Sequence, residues 1–225
     1  MVKITFMKTV LLFLALFMAT PAFVGCSNDE GSGSNTGTSK GSHKGHEWVD
    51  LGIGVKWATC NIGASTPEEH GDYFAWGEPT PKSSYTVENS KTHERAIESI
   101  VGDPSYDAAC AIWGGGWRMP NINDLNCLID NCTWISCIQE GHEGFKITGP
   151  NGNSIFLPAT VYCSGTDNQE AEIAGYYWTS SLIYSRYNSH PVLLDQAYSL
   201  VFTKSWYESR GTSRWMGLTI RPVLD

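Results

Sequence analysis

Apolar residues fall along this chain in three rhythms. The first is an unbroken run from Val10 to Met18, set behind Lys3 and Lys8. The second is alternation with period two, the pattern of a strand with one buried face. Trp48-Val49-Asp50-Leu51 and Val55-Lys56-Trp57-Ala58-Thr59 alternate around Gly52-Ile53-Gly54 and predict a hairpin, and Asp72 to Trp76 predicts a strand ended by Gly77. Gly144 to Thr148 and Ser154 to Leu157 flank Pro150-Asn151-Gly152-Asn153, a turn sequence that predicts a second hairpin. Tyr176 to Ser180, Ala197 to Phe202 and Leu218 to Val223 predict further strands. The third rhythm is helical. Ala96, Ile97 and Ile100 suggest a helix over 91–101, and Asp103-Pro104 reads as an N-cap and first turn leading into SYDAACAIW, which Gly114-Gly115-Gly116 stops. Asn121 with Asp124 imitates a capping box ahead of an apolar stripe at Leu125, Leu128 and Ile129. Helices in the middle and strands at both ends predict an α+β fold, with mixed, mostly antiparallel sheets and two short helices.

Nine apolar residues are too few to cross a bilayer as a permanent helix, but they suit the core of a secretory signal over residues 1–25. Met7 is a second candidate start. Phe23-Val24-Gly25-Cys26 resembles the lipobox of bacterial lipoproteins, with Phe23 where leucine is usual; the resemblance implies cleavage before Cys26 and lipidation of that residue. Ser27-Asn28-Asp29-Glu30 is similar to the acidic stretch that sends Bacteroidetes lipoproteins to the outer face of the outer membrane. The expectation is an outer-membrane lipoprotein exposed at the cell surface, the periplasmic face being the alternative, that meets the membrane only through its lipid.

Residues 26–45 are rich in Gly, Ser, Thr and Asn without apolar period, so they read as a flexible tether with an average reach of about 25 Å. Residues 46–225 carry all nine tryptophans and all ten tyrosines and fit one domain. Loss of residues 1–25 removes two lysines and no acid, taking the net charge from −8 to −10. With no basic cluster to offset it, nucleic acid is excluded as a partner. Six cysteines besides Cys26 allow fifteen pairings, which sequence cannot order. Cys127, Cys132 and Cys137, spaced by five, do not match zinc knuckles.

The aromatic residues are unevenly spread. Between Tyr176 and Trp215 lie six of the ten tyrosines and eight serines, with Arg186, Arg210 and Arg214 among them. Tyr and Trp give large rigid contact area while Ser and Asn adapt their hydrogen bonds, a mixture typical of recognition surfaces. Tyr177, Tyr184, Arg186, Tyr187, Asn188, Trp206, Tyr207, Arg210, Arg214 and Trp215 are therefore the candidate ligand contacts. Core packing competes for the same rings. It is the stronger reading for Trp57, Trp76, Trp113, Trp117 and Trp178, as a buried or half-buried ion pair is for Arg118 and Arg221.

Six phrases, HEWVDLGIGVKWATCNIGA (46–64), GDYFAWGE (71–78), WGGGWRMPNINDL (113–125), TGPNGNSIFLPA (148–159), GYYWTSS (175–181) and LTIRPV (218–223), resemble the Fibrobacter succinogenes major paralogous domain family. That family is similar to the C-type lectin-like fold, including formylglycine-generating enzymes and the variable proteins of diversity-generating retroelements. The resemblance implies paired first and last strands, two helices around 104–131 and an irregular ligand-facing surface in the C-terminal third. A retroelement-diversified C-terminus is one possibility it raises.

Catalysis is not expected. The oxidase chemistry of the formylglycine branch needs paired cysteines near the C-terminal strands, and no cysteine follows Cys163. Glu78-Pro79-Thr80 lacks the asparagine of calcium-bridged lectin loops, so neither metal nor cofactor is expected. Glu68-Glu69-His70 and His142-Glu143 lie in polar, glycine-flanked loops. The expected function is noncovalent recognition of a glycan or protein ligand; the alternative is a structural or accessory subunit with one fixed protein partner.

Overall fold

The computed structural model of the chain describes residues 39–97, 99–169, 174–187 and 190–225. In chain order the elements are β1 (Lys40–His43), β2 (His46–Asp50), β3 (Lys56–Ala58), α1 (Ala108–Trp113), α2 (Ile122–Asn131), β4 (Thr133–Gln139), β5 (His142–Thr148) and β6 (Ser154–Pro158). They continue with β7 (Tyr162–Ser164), β8 (Asp167–Gln169), β9 (Ala174–Tyr187), β10 (His190–Thr203), β11 (Tyr207–Ser213) and β12 (Val223–Leu224). Every ladder between these strands is antiparallel, so the described chain is α+β with mostly antiparallel sheets and two short helices. None of its helices is long and apolar enough to cross a membrane.

The terminal strands pair as expected: β2 and β3 form the first hairpin, and β12 joins it through Val223 opposite Trp57, giving the order β1-β2-β3-β12. The outer member corrects the domain boundary. Residues 40–43, placed in the tether, form β1 along the whole of β2, with Lys40 opposite Val49 and His43 opposite His46. Their glycine is structural, because a Cβ at Gly41 would lie 2.5 Å from the Trp48 ring that crosses it. His46 then stacks on Trp113 at 3.7 Å, and Trp117 Nε1 donates to the His43 carbonyl at 3.1 Å. The leader, Cys26 and the tether up to residue 38 lie outside the described residues.

The helices show where local chemistry decides. At α2 the capping box forms as expected: Asn121 accepts from the Asn123 and Asp124 amides, and Asp124 accepts from the Asn121 amide at 2.8 Å. At α1 the cap is Asp107, not Asp103. Asp103 closes a preceding turn, and the helix begins four residues late because buried Asp107 receives the amides of Gly102, Cys110 and Met119. The helix expected over 91–101 is absent from its described residues; Thr92 instead donates to the Trp76 carbonyl at 2.6 Å, fastening a chain of turns to the body. Likewise 72–76 is not a regular strand: among the described residues its bridge is the isolated one of Phe74 with Leu218.

The second hairpin forms as β5–β6 and gains an unexpected edge strand, β4, joined to β5 through Glu140 and Gly141, both at positive φ. In the C-terminal third the strands expected over 176–180 and 197–202 form within the longer β9 and β10, whereas that expected over 218–223 is reduced to β12 at 223–224. Rather than an irregular surface this third is a three-stranded sheet in the order β11-β10-β9, in which β9 and the central β10, each of 14 residues, are buried on both faces where they pair near Tyr177 and Leu200. One face gives Tyr177, Leu200 and Phe202 to a core with Trp57, Leu125 and Leu157; the other gives Trp178, Leu182 and Ala197 to a core with Phe74, Trp76 and Ile220. Gly175 is required here, since its Cβ would sit 2.0 Å from the Phe202 ring.

Candidate ligand-binding surface

The hairpin from β10 to β11 positions an exposed aromatic at one end of the sheet. Thr203 donates its amide to the Trp206 carbonyl at 2.8 Å and closes the turn, and the next ring, Tyr207, turns the opposite way to stack on Trp134 at 4.4 Å. Trp206 is thereby held at the tip of a fixed hairpin with 38% of its surface exposed.

Alternation along edge strand β11 puts Glu208 and Arg210 on the face opposite Tyr207. The register extends these positions into cross-strand rows: Glu208, Val201 and Tyr176 in one, Arg210, Ser199 and Trp178 in the next. The Arg210 guanidinium lies 5.7 Å from the centre of the Trp206 ring, and its Nε is 3.1 Å from Glu208 Oε1. Tyr162 meets Tyr176 edge to face at 4.9 Å. Burial raises the Tyr176 hydroxyl pKa, while the nearby Arg210 charge acts in the opposite sense. Lys204 and Glu143 form a second ion pair at 3.2 Å beside the turn. The result is an aromatic platform whose charges are matched locally.

The ten residues expected to touch ligand do not form one site. Trp206 and Arg210 come together, with Tyr207 half-buried behind them. Tyr184 is half exposed and donates to the Ile97 carbonyl at 3.4 Å. It pairs with Leu193 whereas Tyr207 pairs with Phe202, nine residues further along β10. At about 3.3 Å per residue the two ends are roughly 30 Å apart. Trp215 is half-buried beyond the end of β11. Arg186 and Tyr187 extend β9, their side chains lying outside what is described, and Asn188 is outside the described residues altogether.

Two of the ten are corrections. Arg214 is fully buried: its Nε donates to Asp195 at 3.2 Å, its Nη1 to the Arg95 carbonyl at 3.0 Å, and it lies 5.6 Å from the Trp76 ring centre. Tyr177 is 3% exposed and donates its hydroxyl to the Pro158 carbonyl at 2.5 Å. A residue with a matched partner below the surface cannot meet a docking molecule. Burial pushes the Tyr177 pKa up to about 12, the Arg221 charge opposing. Because the folded value is raised, its contribution is intact below pH 10, the ordinary tyrosine value, and is lost as pH climbs from 10 to 12. Alkaline titration is expected to remove about 2 to 3 kcal/mol across that window. Urea unfolding of Tyr177→Phe beside the parent checks it, since the variant lacks this component of the slope.

Sequence reasoning missed Glu208, Tyr176 and Tyr162. Only the strand register aligns Glu208 with Tyr176, and Tyr162 joins them through its ring contact, which leaves no sequence signal. Arg118 makes the expected half-buried ion pair, with Asp124 and Asp225 at 2.6 Å each, whereas Arg221 departs from that expectation: it is buried among carbonyls, with no ion pair among the described residues. Trp57, Trp76, Trp117 and Trp178 are core, and Trp113 is half-buried. Among the described residues no group of three His, Cys, Asp or Glu side chains is placed to hold a metal ion. No family model, curated protein or solved structure matches this chain.

Proposed function

We propose that the chain is a lipoprotein of the outer membrane, anchored through Cys26 and facing the cell exterior, whose C-type lectin-like domain binds a glycan or protein ligand noncovalently. Three features support the lectin-like assignment: the paired terminal strands, the two short helices between them, and the resemblance of the six sequence phrases. The observation that carries the binding assignment is Trp206, an exposed ring on a closed hairpin with Arg210 packed against it. An exposed, immobilised aromatic beside an arginine has the composition of a binding hot spot, because little conformational freedom is lost when a ligand covers it. The domain acts by holding its ligand, not by transforming it.

The test is a paired measurement on Trp206→Ala and Arg210→Ala. Both side chains are exposed, so unfolding free energy should change by less than about 0.5 kcal/mol, while retention of ligand by the purified domain should fall at least tenfold for the tryptophan variant. Retained binding in both variants defeats the assignment. The roughly 30 Å between Tyr184 and Trp206 favours a second reading, a structural subunit, since only a protein partner spans both ends. Chemical crosslinking in native membranes separates the two: one stoichiometric partner attached at both ends supports the subunit role.

A further inference from the structure

We propose that the ligand held at the Trp206 end is a neutral saccharide, bound without a metal ion; this rests on the recognition role given above and narrows it. The first support is charge. An acidic ligand needs a cation with unspent charge, but Arg210 is already held by Glu208 at 3.1 Å and Lys204 by Glu143 at 3.2 Å. A chain of net charge −8 adds long-range repulsion of anions. The second support is geometry. The C–H face of a pyranose can lie on the exposed part of the Trp206 indole, and the hydroxyls around its rim need donors and acceptors at the same height. The Arg210 guanidinium supplies donors, and Glu208, two residues away on the same strand face, supplies an acceptor.

The third support is the carboxylate arrangement. A calcium-bridged sugar site draws several acidic and amide oxygens onto one point. Here Glu208 and Glu143 each face their own cation, and the described residues hold no group of three potential metal-ligating side chains. The extent of the platform is the fourth support: Tyr184 stands roughly 30 Å away along β10, so one end offers room for one or two sugar rings, not an extended protein face.

The experiment uses the full mature domain on an immobilised panel of neutral oligosaccharides of gluco, manno, galacto and xylo configuration, beside sulfated and uronic-acid oligosaccharides. The expected result is binding confined to neutral members, unchanged within about twofold between 50 and 500 mM NaCl and in chelator. Trp206→Ala should weaken it at least tenfold and Trp206→Phe by less, with thermal unfolding of both variants matching the parent. Binding only to acidic members, a strong fall with salt, or loss in chelator overturns the proposal while leaving Trp206 as a ligand contact. Silence across the whole panel also overturns it. The broader recognition role then stands or falls on whether Trp206→Ala abolishes capture of a protein ligand.

Discussion

Replacing Arg221 with alanine is expected to lower the unfolding free energy by roughly 3 to 5 kcal/mol, the largest effect of any charged residue in the domain. Its guanidinium is 1% exposed and has no carboxylate within ion-pair distance among the described residues. Burial opposes the charge and depresses its pKa, and the cation is tolerated because acceptors meet its Nε and Nη1, while Nη2 finds no partner among the described residues. Nε donates to Asn61 Oδ1 at 2.7 Å, and Nη1 donates to the Thr59 carbonyl at 2.6 Å and the Ala58 carbonyl at 3.2 Å. Asn61 passes the connection on by donating to the His70 carbonyl at 2.9 Å. One side chain near the C-terminus thus fastens the turn after β3, and through it the segment leading to the core strand at Phe74.

Alanine would strand three acceptors, two of them buried, as well as leaving a void. Methionine separates the two contributions, since it fills the volume but donates nothing. Arg221→Met should recover part of the loss and still remain about 2 kcal/mol below the parent. Equal stability of the methionine variant and the parent in urea titration would show that the guanidinium contributes only bulk.

The same contrast between local and distant causes explains what could be read in the sequence. Asn121 and Asp124 cap α2 through neighbours three residues apart, and Pro150 to Asn153 turn the chain by their own backbone preferences, so both were legible. Glycine at position 41 looked like linker because its reason is the Trp48 ring across the sheet. The stretch from Tyr176 to Trp215 had the composition of a recognition surface, rich in Tyr, Ser and Arg. In β9 that composition has another cause: two cores meet on the strand, Tyr177 facing one and Trp178 the other. Composition cannot distinguish a strand buried twice from a surface meant to be covered by a ligand. Tyr177 and Arg214 went to the wrong class for that reason, while Trp206 and Arg210 escaped burial because they sit on an edge strand and its turn. The register shifts between Leu193 and Ser199, which set how far Tyr184 stands from Trp206, leave no local mark at all.

Trp178→Ala is expected to cost about 3 to 5 kcal/mol, and its conservative counterpart tells which part of that is packing. The indole is fully buried in the second core, and its Nε1 donates to the Phe74 carbonyl at 2.7 Å. Trp76, two residues along from Phe74, returns the bond from its own Nε1 to the Thr179 carbonyl at 2.9 Å. The pair forms a reciprocal clamp between the 72–76 segment and β9, which share no ladder among the described residues. Phenylalanine at 178 keeps a ring but loses one arm, leaving the Phe74 carbonyl with the Leu218 amide as its remaining partner. Trp178→Phe should therefore cost about 1 to 2 kcal/mol, and the double variant with Trp76→Phe should lose less than the sum, because each arm holds the other in register. Hydrogen exchange at the Phe74 and Leu218 amides reads the clamp directly: protection there should fall in both single variants, while protection in β5 and β6 stays at the parent level. Unchanged exchange at Phe74 would mean that the two indoles fill the core without tying these segments together.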